Sequence, residues 1–447
     1  MHLHSSLTTS IALFAAGLVF GADVPSPAAA VGTRELRDGR LYVNGRWTFL
    51  KIGKPLLDFA NPTACKRLRE ALPILKAKGY NALELNCYWH HFDKDGDGVI
   101  DADTHPLAEL IEAIDDAGMF PCLSVETYGV GGGTLTEDFW NRFPEAVAVD
   151  HEGKQVRDTE YGFNSIVPSI LHPGYREAVH AYIRNLVSVL PHKLILHYET
   201  TVEPQFMGDR DIDFSVSARA AYIAWSKKFS DAPAWPETFP IPDSFRLHPV
   251  WLRFRAESLA DWVNQDIAAF RSVVGPDALI AVDYLETGGR DMAKRNGDSV
   301  RFLTALEGVN IIQVNWHWHL GKRAPNQIAY DTVHKVMKAT GRSWAVSEHM
   351  TLNGSDYRPA EVVPMLRNAL AQGTGYGFEF VNLAPVSKDK FAMYNDDWSP
   401  KPLMAEVDDH WAEWLREISA KHPNTNVKIE KPAQRAEANH PDRGANN

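Results

Sequence analysis

Eight apolar segments recur along this chain, each followed by residues with helical spacing, and no other feature restricts the fold as tightly. The segments are "TFLKIG" (48–53), "NALELNCYW" (81–89), "MFPCLSVET" (119–127), "LILHYETTVE" (194–203), "LIAVDYLE" (279–286), "NIIQVNWHW" (310–318), "SWAVSE" (343–348) and "GFEFVNL" (377–383). Between them, "PTACKRLREALPILKAKG" sets Leu68, Leu72 and Leu75 on one face and stops at Gly79, and "HPLAELIEAIDDAG" repeats the pattern up to Gly118. Near-continuous apolar runs belong to strands covered on both faces, and a β-then-α repeat belongs to a parallel sheet.

Eight such units predict an α/β fold, a (β/α)8 barrel with long insertions after some strands. The competing doubly wound sheet carries a Gly-rich phosphate turn after its first strand, and no GxGxxG stands there. The predicted organisation is a signal peptide over 1–22, a Pro/Ala-rich linker over 23–38, the barrel over 39–420 and a polar, disordered tail over 421–447. Trp411, Trp414, Leu415 and Ile418 mark a last helix that closes the barrel.

The first residues pair the apolar run Ile11–Phe20 with small residues at Gly21 and Ala22, the pattern of a secretory signal. The expected location is therefore secreted or periplasmic, with anchoring by the same segment as the alternative. Cys65, Cys87 and Cys122 make neither an even disulfide set nor a CxxC zinc pattern. A net charge of −11 argues against nucleic acid and against an anionic membrane surface.

In a (β/α)8 barrel the chemistry sits at the C-terminal ends of the strands. Those ends carry Trp89, His90 and His91; Glu126; Glu199 and Glu203; Asp283 and Glu286; Asn315, Trp316, His317 and His319; Glu348 and His349. No GxSxG elbow, Walker A loop or HExxH helix appears. A ring of carboxylates, His, Asn and Trp suits proton transfer on a polar substrate, and cleavage of a glycosidic bond needs two carboxylates in opposite charge states.

"VDHEGKQVRD" (148–157), "LHPGYREAVHAYIRNLV" (171–187), "LILHYETTVEP" (194–204), "WLRFRAESLADWVNQDIAAFR" (251–271) and "SWAVSEHM" (343–350) together resemble the family 42 glycoside hydrolases and the wider clan of retaining glycosidase barrels. The resemblance covers roughly 40 to 400. It implies Glu203 as acid/base and Glu348 as nucleophile of a double displacement on β-linked sugars, a galactoside foremost. Val202 stands where the clan has an Asn that binds the sugar 2-hydroxyl, so that contact is lost or supplied from elsewhere. An endo-acting polysaccharide hydrolase of the same clan and a non-catalytic glycan-binding barrel are the alternatives.

Trp89, His90, Glu126, Glu199, Asn315, Trp316 and His317 are the expected sugar contacts, with Glu199 a barrel layer below Glu203 as its partner. The expected partner is an oligosaccharide or polysaccharide, and no cofactor is required. "DKDGDGVID" (93–101) resembles the start of a calcium loop through Asp93, Asp95 and Asp97, although Thr104 occupies the place of its bidentate Glu. The resemblance implies a structural Ca2+, with a solvated acidic turn as the alternative.

Overall fold

The computed structural model describes residues 33–127, 135–158, 165–200, 202–206, 211–286, 294–316, 327–352, 358–383 and 391–421. The expected signal segment, Tyr128, His317, His319 and the tail beyond 421 lie outside the described residues, as does the side chain of Trp316.

Three short strands come first among the described residues, β1 (Arg34–Arg37), β2 (Arg40–Val43) and β3 (Arg46–Trp47), and pair as an antiparallel sheet. β1 falls at the end of the segment expected as linker, and β2 and β3 at the start of the one expected as barrel. Leu36, Leu41 and Val43 from this sheet pack with Leu50, Ile52, Phe120, Leu196, Ile311 and Tyr376, plugging the lower end of a barrel with apolar side chains.

The barrel is closed, parallel and eight-stranded. Its strands are β4 (Leu50–Lys54), β5 (Ala82–Tyr88) and β6 (Phe120–Glu126), then, after a hairpin of β7 (Arg157–Asp158) and β8 (Ser165–Ile166), β9 (His197–Glu199), β10 (Leu279–Leu285), β11 (Ile311–Trp316), β12 (Ala345–Met350) and β13 (Gly377–Val381). Seven match the apolar runs closely. The run at 194–203 yields only the three residues of β9, so Glu203 stands beyond its strand.

Three of the helices begin by a shared device. Asn61, His172 and His248 each accept a backbone N–H at a helix start, and each is followed by Pro, whose missing N–H costs nothing there. Helix Pro402–Lys421 closes the ring as expected: Trp411 and Trp414 are buried and set their rings against Phe378 of β13. A Cβ at Gly377 would stand 2.7 Å from the Leu50 carbonyl oxygen, so only glycine lets β13 approach β4 there.

Many of the tryptophans serve the core. Trp47, Trp251, Trp262, Trp411 and Trp414 are all buried, and Trp251 joins Phe214, Tyr222, Trp235, Phe245 and Phe254 in a separate aromatic cluster after β9. No helix among the described residues is long and apolar enough to cross a membrane.

Candidate active site

Strand periodicity and register decide what the barrel encloses. Neighbouring residues in a parallel sheet point the same way, and successive residues alternate. Lys54, Glu84, Asn86, Ser124, Glu126, His197, Glu199, Asp283, Gln313, Asn315, Ser347, His349 and Glu379 share one phase and fill the lumen. The other phase holds Val282, Val314, Val346 and Phe378, which pack into the core beneath the helices.

The floor of the lumen is ionic. Lys54 Nζ stands 2.5 Å from Glu199, 3.0 Å from Glu84, 3.4 Å from Glu126 and 4.0 Å from Glu379. Burial works against its charge, but the four carboxylates hold its pKa well above the ordinary lysine value. Burial likewise opposes the Glu84 charge; Lys54 and His197 overcome it and keep Glu84 well below the usual range. Burial and the Glu84 charge push Glu199 the other way, so Glu84 carries the charge and Glu199 the proton. His197 bridges Glu84 and Tyr376, each at 2.8 Å.

Above this floor the network runs to the mouth. His349 Nδ1 lies 3.2 Å from Glu379, and its Nε2 faces Asp283 at 3.9 Å. Burial would neutralise the imidazole, yet Asp283 and Glu379 raise it to about 9. Asn315 Nδ2 donates to Asp283 at 3.2 Å and to Glu203 at 2.5 Å. Gln205 donates to the other oxygen of Glu203 at 3.1 Å and itself accepts from Arg295. Glu203 has φ +48°, a left-handed backbone that costs a non-glycine residue about 1–3 kcal/mol. Such strain persists where surrounding contacts over-determine it, which is common at working sites.

The expected residues separate into those the fold gathers and those it does not. Glu203, Asn315, Glu199 and Glu126 all belong to the mouth and lumen, but Glu126 and Glu199 are paired with Lys54 and so belong to the ionic floor. Glu348 is the principal departure. It lies in register with Val314 and Phe378, in the phase that faces the helices, and its carboxyl meets Thr374, whose hydroxyl is 2.7 Å from Tyr330. Burial pushes Glu348 well above the carboxylate range, and its Oε1 has no hydrogen-bond partner among the described residues. Glu348 and Glu203 therefore do not face each other across one pocket; from β12 it is His349 that enters the lumen.

Trp89 also departs. The strand ends one residue earlier, Trp89–Phe92 turns as a short helix, and the indole is buried against Tyr182 with Nε1 donating to Asp93 at 2.6 Å. It is a core residue, not a sugar platform. The same turn sets the rings of His90 and His91 only 4.1 Å apart, where an extended strand would have separated them. Burial, with His91 beside it, lowers His90 to about 4, so it is neutral near pH 7.

At 93–101, the carboxylates that approach one another are Asp93, Asp95 and Asp101. Asp97 turns outward and accepts from Val99 N at 2.7 Å. The Asp93 carboxylate already accepts N–H groups of Gly96, Asp97, Gly98 and Trp89. The loop is thus closed by its own donors, and the expected set of Asp93, Asp95 and Asp97 is not assembled.

Sequence reasoning passed over Lys54, His197, Gln205 and Glu379. The signal for His197 and Glu379 was present: each is an ionisable group inside an apolar run, which burial permits only with partners, and Lys54 directly follows such a run.

No protein-family profile matches the sequence, and no curated protein does. Among solved structures, the chain is similar to a β-galactosidase from the psychrophilic Marinomonas ef1, with TM-score 0.64 and 14% identity over 85% of this chain and 61% of that one. The catalytic domain of a β-amylase from Paenibacillus polymyxa gives TM-score 0.57 and 14% identity over 81% of this chain and 97% of that one. A GH42 β-galactosidase from G. stearothermophilus, in a catalytic mutant form, gives 0.58 and 14% over 83% and 57%. The chain thus spans less than two thirds of the β-galactosidases it resembles, and what it shares with them at this identity is the barrel.

Proposed function

We propose that this chain is an exported glycoside hydrolase that cleaves β-linked sugars at the C-terminal mouth of its barrel. One observation carries the reading. Glu203, at the C-terminal end of the barrel, is fixed in a strained backbone with an amide donor at each carboxylate oxygen. Donors to both oxygens favour the ionised form, and a fixed anion beside a deeper acid is the arrangement glycosidic cleavage uses. The names of the similar structures, β-galactosidases and a β-amylase, support a carbohydrate substrate. A galactoside is the first substrate to try.

The turned-away Glu348 favours a second reading, a barrel that binds glycans without cleaving them. A panel of aryl β-glycosides separates the two. Hydrolysis by the wild type, lost at least about 10²-fold in Glu203→Gln, supports the enzyme. Glycan binding with no turnover of any member of the panel supports the second reading instead. Oligosaccharide ladders or monosaccharide in the first minutes then distinguish endo from exo action.

A further inference from the structure

We infer that Asp283 is the carboxylate that works with Glu203, a role that rests on the proposed hydrolysis. The two side chains reach one atom: Asn315 Nδ2 donates at 2.5 Å to Glu203 Oε1 and at 3.2 Å to Asp283 Oδ2. Their nearest oxygens therefore lie within two hydrogen-bond lengths of each other. Carboxyl groups about 5–5.5 Å apart belong to retaining enzymes and about 6.5–9.5 Å to inverting ones, and oxygens that share one donor are compatible with the closer spacing. Glu348, on the far face of β12, reaches neither.

Geometry and environment also divide the roles. Glu203 accepts from two neutral amides, which favours its anion. Asp283 is fully buried, and its Oδ1 has no hydrogen-bond partner among the described residues. Burial raises it to about 7 against the pull of the His349 cation, with the Glu203 charge adding to the rise. Asp283 is accordingly the proton holder and Glu203 the nucleophile, the reverse of the role that the resemblance implies for Glu203.

The first step forms a bond from a Glu203 oxygen to the anomeric carbon as the bond to the leaving oxygen breaks. That electron pair leaves on the oxygen, which takes the proton of Asp283. In the second step Asp283, now a carboxylate, removes a proton from water. The water oxygen bonds to the anomeric carbon and Glu203 departs as a carboxylate. No oxidant, reductant or metal enters the balance.

A metal ion is the rival occupant of this region. Glu199, Asp283 and His349 offer three ligand atoms within 4.8 Å of one another. The Lys54 ammonium, 2.5 Å from Glu199, already supplies the positive charge there and repels a second cation.

The test uses the full chain with aryl β-glycosides of good and poor leaving groups. Asp283→Asn should lose about 10²–10⁴-fold on poor leaving groups and far less on dinitrophenyl glycosides, a split that a structural role would not produce. With azide, Asp283→Ala should yield the β-glycosyl azide and Glu203→Ala the α-anomer. Should the Asp283 variants fail to fold, trapping the wild type with a 2-deoxy-2-fluoro glycoside and mapping the labelled peptide decides the nucleophile. Label on Glu203 supports the assignment; label on Asp283 or Glu348 overturns it. Full rate in folded Asp283→Asn overturns it too, as does wild-type turnover abolished by EDTA and restored by zinc. A wild type inert on every glycoside refutes the hydrolase reading itself, and this assignment falls with it.

Discussion

The Lys54 ammonium lies 2.5 Å from Glu199 Oε2, and both side chains are buried at the centre of the barrel. One lysine there answers Glu84, Glu126, Glu199 and Glu379, with His197 and His349 as the further cations of the lumen.

Lys54→Met should therefore cost up to about 3–5 kcal/mol, the range for breaking a buried ion pair. The group most affected is Glu84, the carboxylate that carries the charge, which loses the ammonium and keeps His197 at 2.8 Å. Urea unfolding measures it. A midpoint close to wild type would mean that the lumen carboxylates are all protonated and do not need the lysine.

Asp283 sets a pH dependence whose sign follows from its raised pKa. The unfolded chain loses this proton near 3.8 and the folded protein near 7, so between those values the folded state binds the extra proton. Its contribution to stability is thus fully present below about 4 and is lost as pH rises through 7. Relative to Asp283→Asn, wild type should lose stability over that window. If Asp283 is the acid, kcat/KM should also fall above pH 7. Parallel stability profiles for the two proteins would contradict the assigned shift.

Glu348→Gln should retain the wild-type hydrolytic rate and unfold within a few degrees of it. Its carboxyl already holds a proton, and Gln preserves both the shape and an oxygen that accepts from Thr374. Complete loss of turnover in a folded Glu348→Gln protein would restore Glu348 to the reaction and require β12 to present its other face.

Asp93→Ala should destabilise the protein by at least about 1–3 kcal/mol, since it strands the N–H groups of Gly96, Gly98 and Trp89. Added calcium should leave the wild-type Tm unchanged, because Thr104 stands in place of the bidentate Glu and Asp97 turns outward. A rise of Tm with calcium, absent in Asp93→Ala, would show that Asp93, Asp95 and Asp101 hold an ion.

The sequence by itself determined the barrel. Burial on both faces makes a parallel strand readable as a continuous apolar run, and the helices between repeat at their own period, so both signals are local. It also placed Glu203 and Asn315 at the correct end. Tertiary structure alone decided which side chains meet. "SEH" in β12 offers an ionisable group in each phase, and a shift of one residue exchanges them; closure of the barrel, through register with Asn315 and Glu379, turned His349 inward and Glu348 out. The same holds for Trp89, where one turn of helix replaced the last step of a strand and carried the indole into the core. Lys54 draws its partners from four strands far apart in the chain, and only a closed sheet brings four such carboxylates to one ammonium.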